Sequence, residues 1–277
     1  MRSLVLIIII IALILSIAYL INQTSKSDSS PKQTEQVLSD TENTHNSGED
    51  ILSNKNPELP ATSINDRVTY YSGFTLLYDE THEQARWVAY ELTRAEAHGE
   101  EERSNHFKQD PSISTRTASD EDYARSGYDR GHLAPAADMG WSKTSMDESF
   151  YYSNMSPQIP AFNRGIWKKL ETCMRTWADE HESIYVVTGP ILTKGLPTIG
   201  PNGVSVPNYY YKVIIDSRAP EMHGIGFILP NKSSKSPLSN FAVAIDSVER
   251  VTGLNFFYAM PSPLIDNLEQ ENCFSCW

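Results

Sequence analysis

The apolar and polar positions of this chain fall into three regimes. The first is Leu4–Ile21, a run without charge in which Ser16 is the one clearly polar member. It is apolar on every face, and a bilayer core takes about 20 helical residues to cross. Residues 1–21 are therefore expected to be a membrane anchor, or a signal peptide cleaved after the small residues of Ser16-Ile17-Ala18. Lys26 and Lys32 offset Arg2, so the orientation of an anchor is weakly set. The second regime, residues 22–65, is dominated by Ser, Thr, Asn, Gln, Asp and Glu and has almost no aliphatic clustering. Such a segment buries too little apolar surface to offset its ordering entropy, and it reads as a disordered polar tether.

The third regime, residues 66–277, alternates short apolar runs with turn residues. Phe74–Tyr78 and Trp87–Leu92 are two β-prone runs that form a plausible hairpin. Residues 95–127 are polar and charged with no sustained period, which predicts a long loop. Lys143–Phe150 predicts a short helix capped by Ser142. In Asn163–Glu180 the residues Ile166, Leu170, Cys173, Met174 and Trp177 follow the three-and-four spacing of a buried helical stripe, with Asn163 placed to act as its cap. Ser183–Thr188, Tyr209–Asp216, His223–Leu229 and Phe241–Ile245 read as strands. Asp246–Val251 reads as a helix stopped by Gly253, and Pro263–Glu271 as a last short one. Trp167 and Tyr209–Tyr211 are assigned to packing. His181 and His223, which lack a spaced partner, are assigned to structure or surface. No internal repeat is seen.

Charge and cysteine content narrow this picture. The formal net charge is −12, and the part beginning at Asp66 stays acidic without the tether. That argues against a broad basic groove and against tight, salt-sensitive passive binding of polyanions. It leaves room for local positive charge from a divalent metal and a few arginines. Cys273-Phe-Ser-Cys276 cannot complete a four-ligand zinc site and lacks the setting of a redox pair. A disulfide fastening the tail, with or without Cys173, suits an exported protein, and a free buried Cys173 is equally open.

The chemistry concentrates in Gly127–Met139, where Asp129-Arg130-Gly131-His132 sets a fixed cation and an imidazole around a glycine. Arginine offers a planar fork to a phosphate oxygen, and histidine can take a proton from water near neutral pH. A bland alternative has Arg130 paired with a neighbouring carboxylate and His132 merely exposed. About thirty residues on, Ser153–Glu171 supplies Asn154, Gln158, Asn163, Trp167 and Glu171. The last three are spaced by four, on one slowly drifting side of a helix.

Together these stretches resemble the DNA/RNA non-specific endonucleases of the ββα-metal, or His-Me finger, class, which includes endonuclease G-like proteins. The resemblance runs from about Tyr70 to about Glu269. It implies an α+β fold: a mixed, largely antiparallel sheet with helices and a ββα-metal finger at the active site. It also implies His132 as general base, Asn163 as metal ligand and Glu171 as the carboxylate holding metal-associated water. Asn154 and Gln158 become polar residues around the site, and Arg130 and Arg103 contact phosphate. For Arg103 the alternative is a solvated residue neutralising Glu100, Glu101 or Glu102. The implied cofactor is Mg²⁺ or Mn²⁺. The implied activity is hydrolysis of phosphodiester bonds in DNA and RNA with little sequence preference. The expected location is a membrane-anchored, exported catalytic domain, periplasmic or extracellular, or a secreted one if residues 1–21 are cleaved. Two other readings are carried: an inactive nuclease-like binding module, and a phosphodiesterase for small nucleotides, which the acidic charge would suit.

Overall fold

A computed structural model describes residues 56–216 and 222–277. The apolar run Leu4–Ile21 and most of the 22–65 tether lie outside the described residues. Among the described residues, no helix is long and apolar enough to cross a membrane.

In chain order the first elements are β1 (Val68–Tyr70), β2 (Thr75–Asp79), β3 (Gln84–Thr93), and the short helices α1 (Arg94–Ala97) and α2 (Asp120–Tyr123). Next come β4 (Asp129–His132), α3 (Lys143–Ser149), β5 (Met155–Gln158), α4 (Lys168–His181) and β6 (Ser183–Pro190). The chain closes with β7 (Thr198–Ile199), β8 (Val204–Ser205), β9 (Tyr209–Asp216), β10 (His223–Pro230), β11 (Ala242–Val243), α5 (Ile245–Thr252) and α6 (Ser262–Leu268). Seven strands form one sheet in the order β1-β2-β3-β6-β9-β10-β11. Every pairing within it is antiparallel. The hairpin, the Ser142 cap and the Gly253 stop stand where the apolar pattern put them: Ser142 accepts from the Ser145 amide, and Gly253 takes the left-handed conformation at φ 68°.

Strand alternation divides the interior into two cores. On β3, Val88, Tyr90 and Leu92 face one side while Trp87 and Ala89 face the other. The first side is covered by Leu170, Met174, Trp177 and Ala178 of α4. The second is covered by Ile245 and Val248 of α5 and Ile265 and Leu268 of α6, with Phe256 and Phe257 between them. Each fully buried side chain of this size contributes roughly 1.5–3 kcal/mol from burial, so both faces of the sheet need their helices.

Packing also extends further toward the N-terminus than residue 66. Leu59 lies against the second core, and the Ala61 amide donates to the Asn255 carbonyl at 2.8 Å. Polar composition there concealed one apolar side chain and one backbone bond, and these suffice to hold the segment. At the other end Cys273 and Cys276 form a disulfide, and Cys173 is free and partly buried. Phe274 and Trp277 pack on Trp177, with ring centroids 6.1 and 5.1 Å away. The two histidines assigned to structure or surface are structural: His181 Nδ1 is 2.7 Å from Asp216, and His223 Nδ1 is 3.6 Å from Glu271.

The long loop after α1 is tied down where it crosses the turn before α3. A Cβ on Gly99 would stand 2.2 Å from the Gly140 carbonyl carbon. The Glu101 amide donates to the Gly140 carbonyl oxygen at 2.9 Å. Only backbone on backbone fits here, and neither strand of the crossing can yield as a flexible side chain would. Gly99→Ala is expected to lower stability by about 1–3 kcal/mol, the usual cost of overpacking, read as a fall in the denaturation midpoint. An unchanged midpoint would mean that the crossing opens freely.

Candidate active site

The site is built on the ribbon β4–β5, whose register pairs Asp129 with Gln158 and His132 with Met155. With α4 behind it, this ribbon makes the expected ββα unit. Arg130 and His132 are two apart, so their side chains share a face of the ribbon. His132 is 8% exposed and sits between two phenylalanines: Phe150 at 4.8 Å between ring centroids and Phe107 at 5.9 Å. Its buried Nε2 has no hydrogen-bond partner among the described residues. Burial, and then the nearby Arg103 and Arg130 charges, lower its pKa from 6.5 to about 3. The imidazole is therefore neutral at any ordinary working pH, the state a proton acceptor requires.

Phe107 and Phe150 also seat the two arginines. The Arg130 guanidinium lies 4.0 Å from the Phe107 ring centre, and that of Arg103 lies 4.9 Å from Phe150. Arg103 donates to Asn105 at 2.9 Å and makes no ion pair with Glu100, Glu101 or Glu102 among the described residues. The neutralised-surface alternative for Arg103 therefore fails. For Arg130 the bland reading is partly right, since it pairs with Asp120 at 2.6 Å, which also accepts from the Tyr152 hydroxyl at 2.5 Å. The Asp120 side chain is 72% exposed, so a phosphate can compete with it from solvent.

Both arginines line a cleft of about 600 Å³ together with Phe107, Asp120, Asp129, Asn163 and Arg164. Asn163 is not the N-cap expected from the sequence. Residues Phe162–Trp167 form a wide π-helical turn, with Gly165 at φ −109° and ψ −110°, and α4 begins only at Lys168. Asn163 donates its Nδ2 to Asp129 at 2.9 Å. Asp129 is gripped in turn by Arg164 through two bonds of 2.8 and 2.6 Å. This clasp fixes the amide flip and leaves Oδ1 without a protein donor among the described residues. A free amide oxygen lining this cleft is a hard oxygen donor of the kind Mg²⁺ and Mn²⁺ take.

Asn154 and Gln158, assigned to the polar surroundings of the site, lie inside the fold beneath it. Asn154 is fully buried: its Oδ1 accepts from the Ala134 amide, and its Nδ2 donates to the Ala134 and Ser149 carbonyls, each at 2.9 Å. It braces the turn after His132 and has no spare group for a ligand. Gln158 is also fully buried, filling the space a Cβ on Gly131 would need, 2.2 Å from its Cδ. That contact explains the glycine inside the motif.

Sequence reasoning assigned no role to Asp138, Arg175 or Lys212. Asp138 is fully buried, accepting from Tyr90 at 2.9 Å and from Arg175 at 2.8 Å. Burial raises the pKa of Glu171, while Lys212, Arg175 and Arg103 oppose the rise and Asp138 adds to it. Arg175 lies one helical turn beyond Glu171, which was a usable signal. Lys212 hides in the apolar run Tyr209–Asp216.

With this geometry established, the comparisons with known proteins agree on one answer. The profile of the DNA/RNA non-specific endonuclease family matches residues 53–262. The chain belongs to that family. It is 35% identical over 227 residues to the mitochondrial nuclease EXOG of Danio rerio, covering 76% of this chain and 66% of that one. It is 37% identical over 204 residues to nuclease C1 of Cunninghamella echinulata, covering 66% and 80%. Human mitochondrial endonuclease G is 34% identical over 198 residues, covering 66% and 67%. The crystal structure of EndoG with its inhibitor EndoGI superposes with a TM-score of 0.68 at 37% identity, covering 72% of this chain and 89% of that one. The α+β fold with its antiparallel sheet is thus the family's own.

The buried histidine of this family member makes its stability depend on pH. Unfolded, His132 titrates near 6.5; folded, near 3. Below pH 6.5 the unfolded chain binds a proton that the folded chain does not, so this contribution to stability is lost as pH falls towards 3. At pH 5 the loss from this group is about 2 kcal/mol. Denaturant melts at pH 7.5 and pH 5.0 in chelator should show the wild type losing that much more than His132→Ala between the two pH values. Equal losses would mean that burial does not hold His132 neutral.

Proposed function

We propose that the protein is a divalent-metal-dependent endonuclease that hydrolyses phosphodiester bonds of DNA and RNA with little sequence preference. The observation that carries the reading is a neutral, buried His132 flanked by two arginines, beside a cleft into which Asn163 presents a free amide oxygen. His132 takes the proton of a water attacking phosphorus, the P–O bond to the 3′-oxygen breaks, and that oxygen leaves to be protonated from solvent. Arg103 and Arg130 offset the charge gathering on the phosphoryl oxygens. Asn163 Oδ1 would hold Mg²⁺ or Mn²⁺, and Glu171 would accept hydrogen bonds from the waters around it. Such an ion, when bound, supplies Lewis-acid stabilisation of the phosphoryl group and leaving oxygen. All these groups act on the backbone that every nucleotide shares, which is why base identity matters little.

His132→Ala should lower plasmid nicking by about 10²–10⁴-fold, the usual contribution of a general base, with the fold intact by circular dichroism. Asn163→Ala should lower activity and shift the Mg²⁺ or Mn²⁺ titration to higher concentration, whereas Glu171→Ala should shift it less. Wild-type nicking by His132→Ala, or an unmoved metal titration for Asn163→Ala, would defeat these assignments. A wild type that binds DNA without cutting it would instead favour the binding-module reading, and faster cleavage of a dinucleotide than of a polymer the small-nucleotide reading.

For location, the reading supported by Leu4–Ile21 is an exported enzyme anchored to a membrane. A coil the length of 22–55 would have a root-mean-square span of about 30–35 Å, enough for the domain to reach long, stiff polyanions beside the bilayer. Removing residues 1–55, so that Leu59 and Ala61 keep their contacts, should give an active enzyme that fractionates as soluble. Its polymer affinity should have a shallow salt dependence at fixed metal, because few cations meet phosphate. Full-length protein recovered as soluble with Leu4–Ile21 still attached would remove the anchor. A steep salt slope would reveal a basic groove despite the net charge.

A further inference from the structure

Lys212 is fully buried in the inner strand β9, between β6 and β10. Its neighbours Tyr210 and Ile214, two residues either side, face the core that carries α4, while Tyr211 and Val213 face the other. Alternation therefore sends the lysine toward the active-site side. Its Nζ donates to the Leu133 carbonyl at 3.3 Å and to Thr188 Oγ1 at 3.1 Å, and stands 4.5 Å from the centre of the Trp167 ring. Leu133 follows His132 directly. Trp167 ends the wide turn that begins beside Asn163 and precedes Glu171 by one helical turn. One ammonium thus touches both arms of the site from below.

The electrostatics agree with that placement. Burial pushes the Lys212 pKa down, while Glu171 and Asp138 hold it up. Burial pushes that of Glu171 up, and Lys212 is the strongest influence against it. An ammonium taken out of water is destabilising unless its partners compensate, and a whole buried ion pair can often be replaced by apolar side chains of equal volume without loss of stability. Packing alone would be served by methionine at this position, so the charge calls for another explanation.

We propose that Lys212 is a positioning residue for hydrolysis: it anchors the turn after His132 from beneath and supplies the buried positive charge that faces Glu171. It makes no contact with substrate in this role. It acts through Leu133 on the imidazole and through Glu171 on the polar groups of the cleft. This rests on the hydrolytic reading of the site.

The test uses Lys212→Met, which fills the volume, and Lys212→Gln, which keeps a donor for Leu133 but no charge. Both should retain the wild-type fold, with the melting temperature of the methionine variant lowered because the Leu133 carbonyl and Glu171 lose a buried partner. Lys212→Met should lower kcat at least 10-fold with KM for polymer DNA within about twofold, and Lys212→Gln should fall between it and wild type. Combined with Glu171→Gln, Lys212→Met should cost much less than the product of the two single losses, because the second change removes a partner already lost. Hydrogen exchange over residues 130–139 should quicken in Lys212→Met while exchange over β3 and β6 holds. Wild-type kcat in a folded Lys212→Met, multiplicative losses with Glu171→Gln, or unchanged exchange at 130–139 would each overturn the proposal. An inactive wild type would sink the hydrolytic reading instead, and the exchange measurement would still decide the anchor.

Discussion

The site depends on a turn that must be both buried and held. Leu133 and Ala134 follow His132 into the interior, where each backbone donor and acceptor needs a partner or costs free energy. Asn154 supplies most of them: its backbone carbonyl accepts from the Leu133 amide at 3.0 Å, and its side chain closes the Ala134 amide and carbonyl. The remaining Leu133 carbonyl receives Lys212. At the far end of the turn Asp138 ties to Tyr90 of the sheet and Arg175 of α4. An imidazole on so fixed a backbone can be kept free of a carboxylate partner, and its own burial then keeps it neutral.

This arrangement answers the objection raised by a net charge of −12. Positive charge is not spread over a groove. Arg103, Arg130 and Arg164 line one cleft, with Arg130 paired to Asp120 and Arg164 to Asp129, while Arg175 pairs with the buried Asp138. Asp120, Asp129, Asp138 and Glu171 hold these cations in place without cancelling their reach towards a phosphate. Elsewhere the surface can be acidic at no cost to the chemistry, because local groups within a few ångströms outweigh distant ones once salt screens beyond about 10 Å.

Much of this was readable from residue order alone. His132, Arg130, Arg103 and Asn163 were singled out by the motif and the family resemblance it carries, and the structure gathers Arg103, Arg130 and Asn163 in one cleft beside His132; the long strands followed from β-prone runs between turn residues. What escaped were residues whose meaning is tertiary. Lys212 looks like an interruption in an apolar strand until the sheet is assembled and Thr188 pairs with it. Asp138 looks like loop polarity until Tyr90 and Arg175 arrive from other elements. Asn154 was placed among the polar surroundings of the site by the motif, but that its amide is spent entirely on backbone could not be read before the turn was folded. Leu59 was lost in a polar stretch because composition averages over the one apolar side chain that packs.

The departure at Asn163 follows from what one amide can do. An N-capping asparagine turns its side-chain oxygen back onto the first helical amides, which would occupy the atom a metal needs. Starting the helix at Asn163 would thus have set capping against ligation. The chain avoids the conflict by widening the turn, with Gly165 outside helical geometry and Lys168 the first α-helical residue. Wide π-type turns recur at functional sites because they release a side chain from the regular ladder. Freed in this way, Asn163 gives its nitrogen to Asp129, and Asp129 is fixed by the Arg164 fork. The geometry of the free oxygen is then set by a carboxylate on β4, three residues before His132. In the proposed roles of base and ligand, His132 and Asn163 would share one strand as their reference, so a small movement of the ribbon would carry both together.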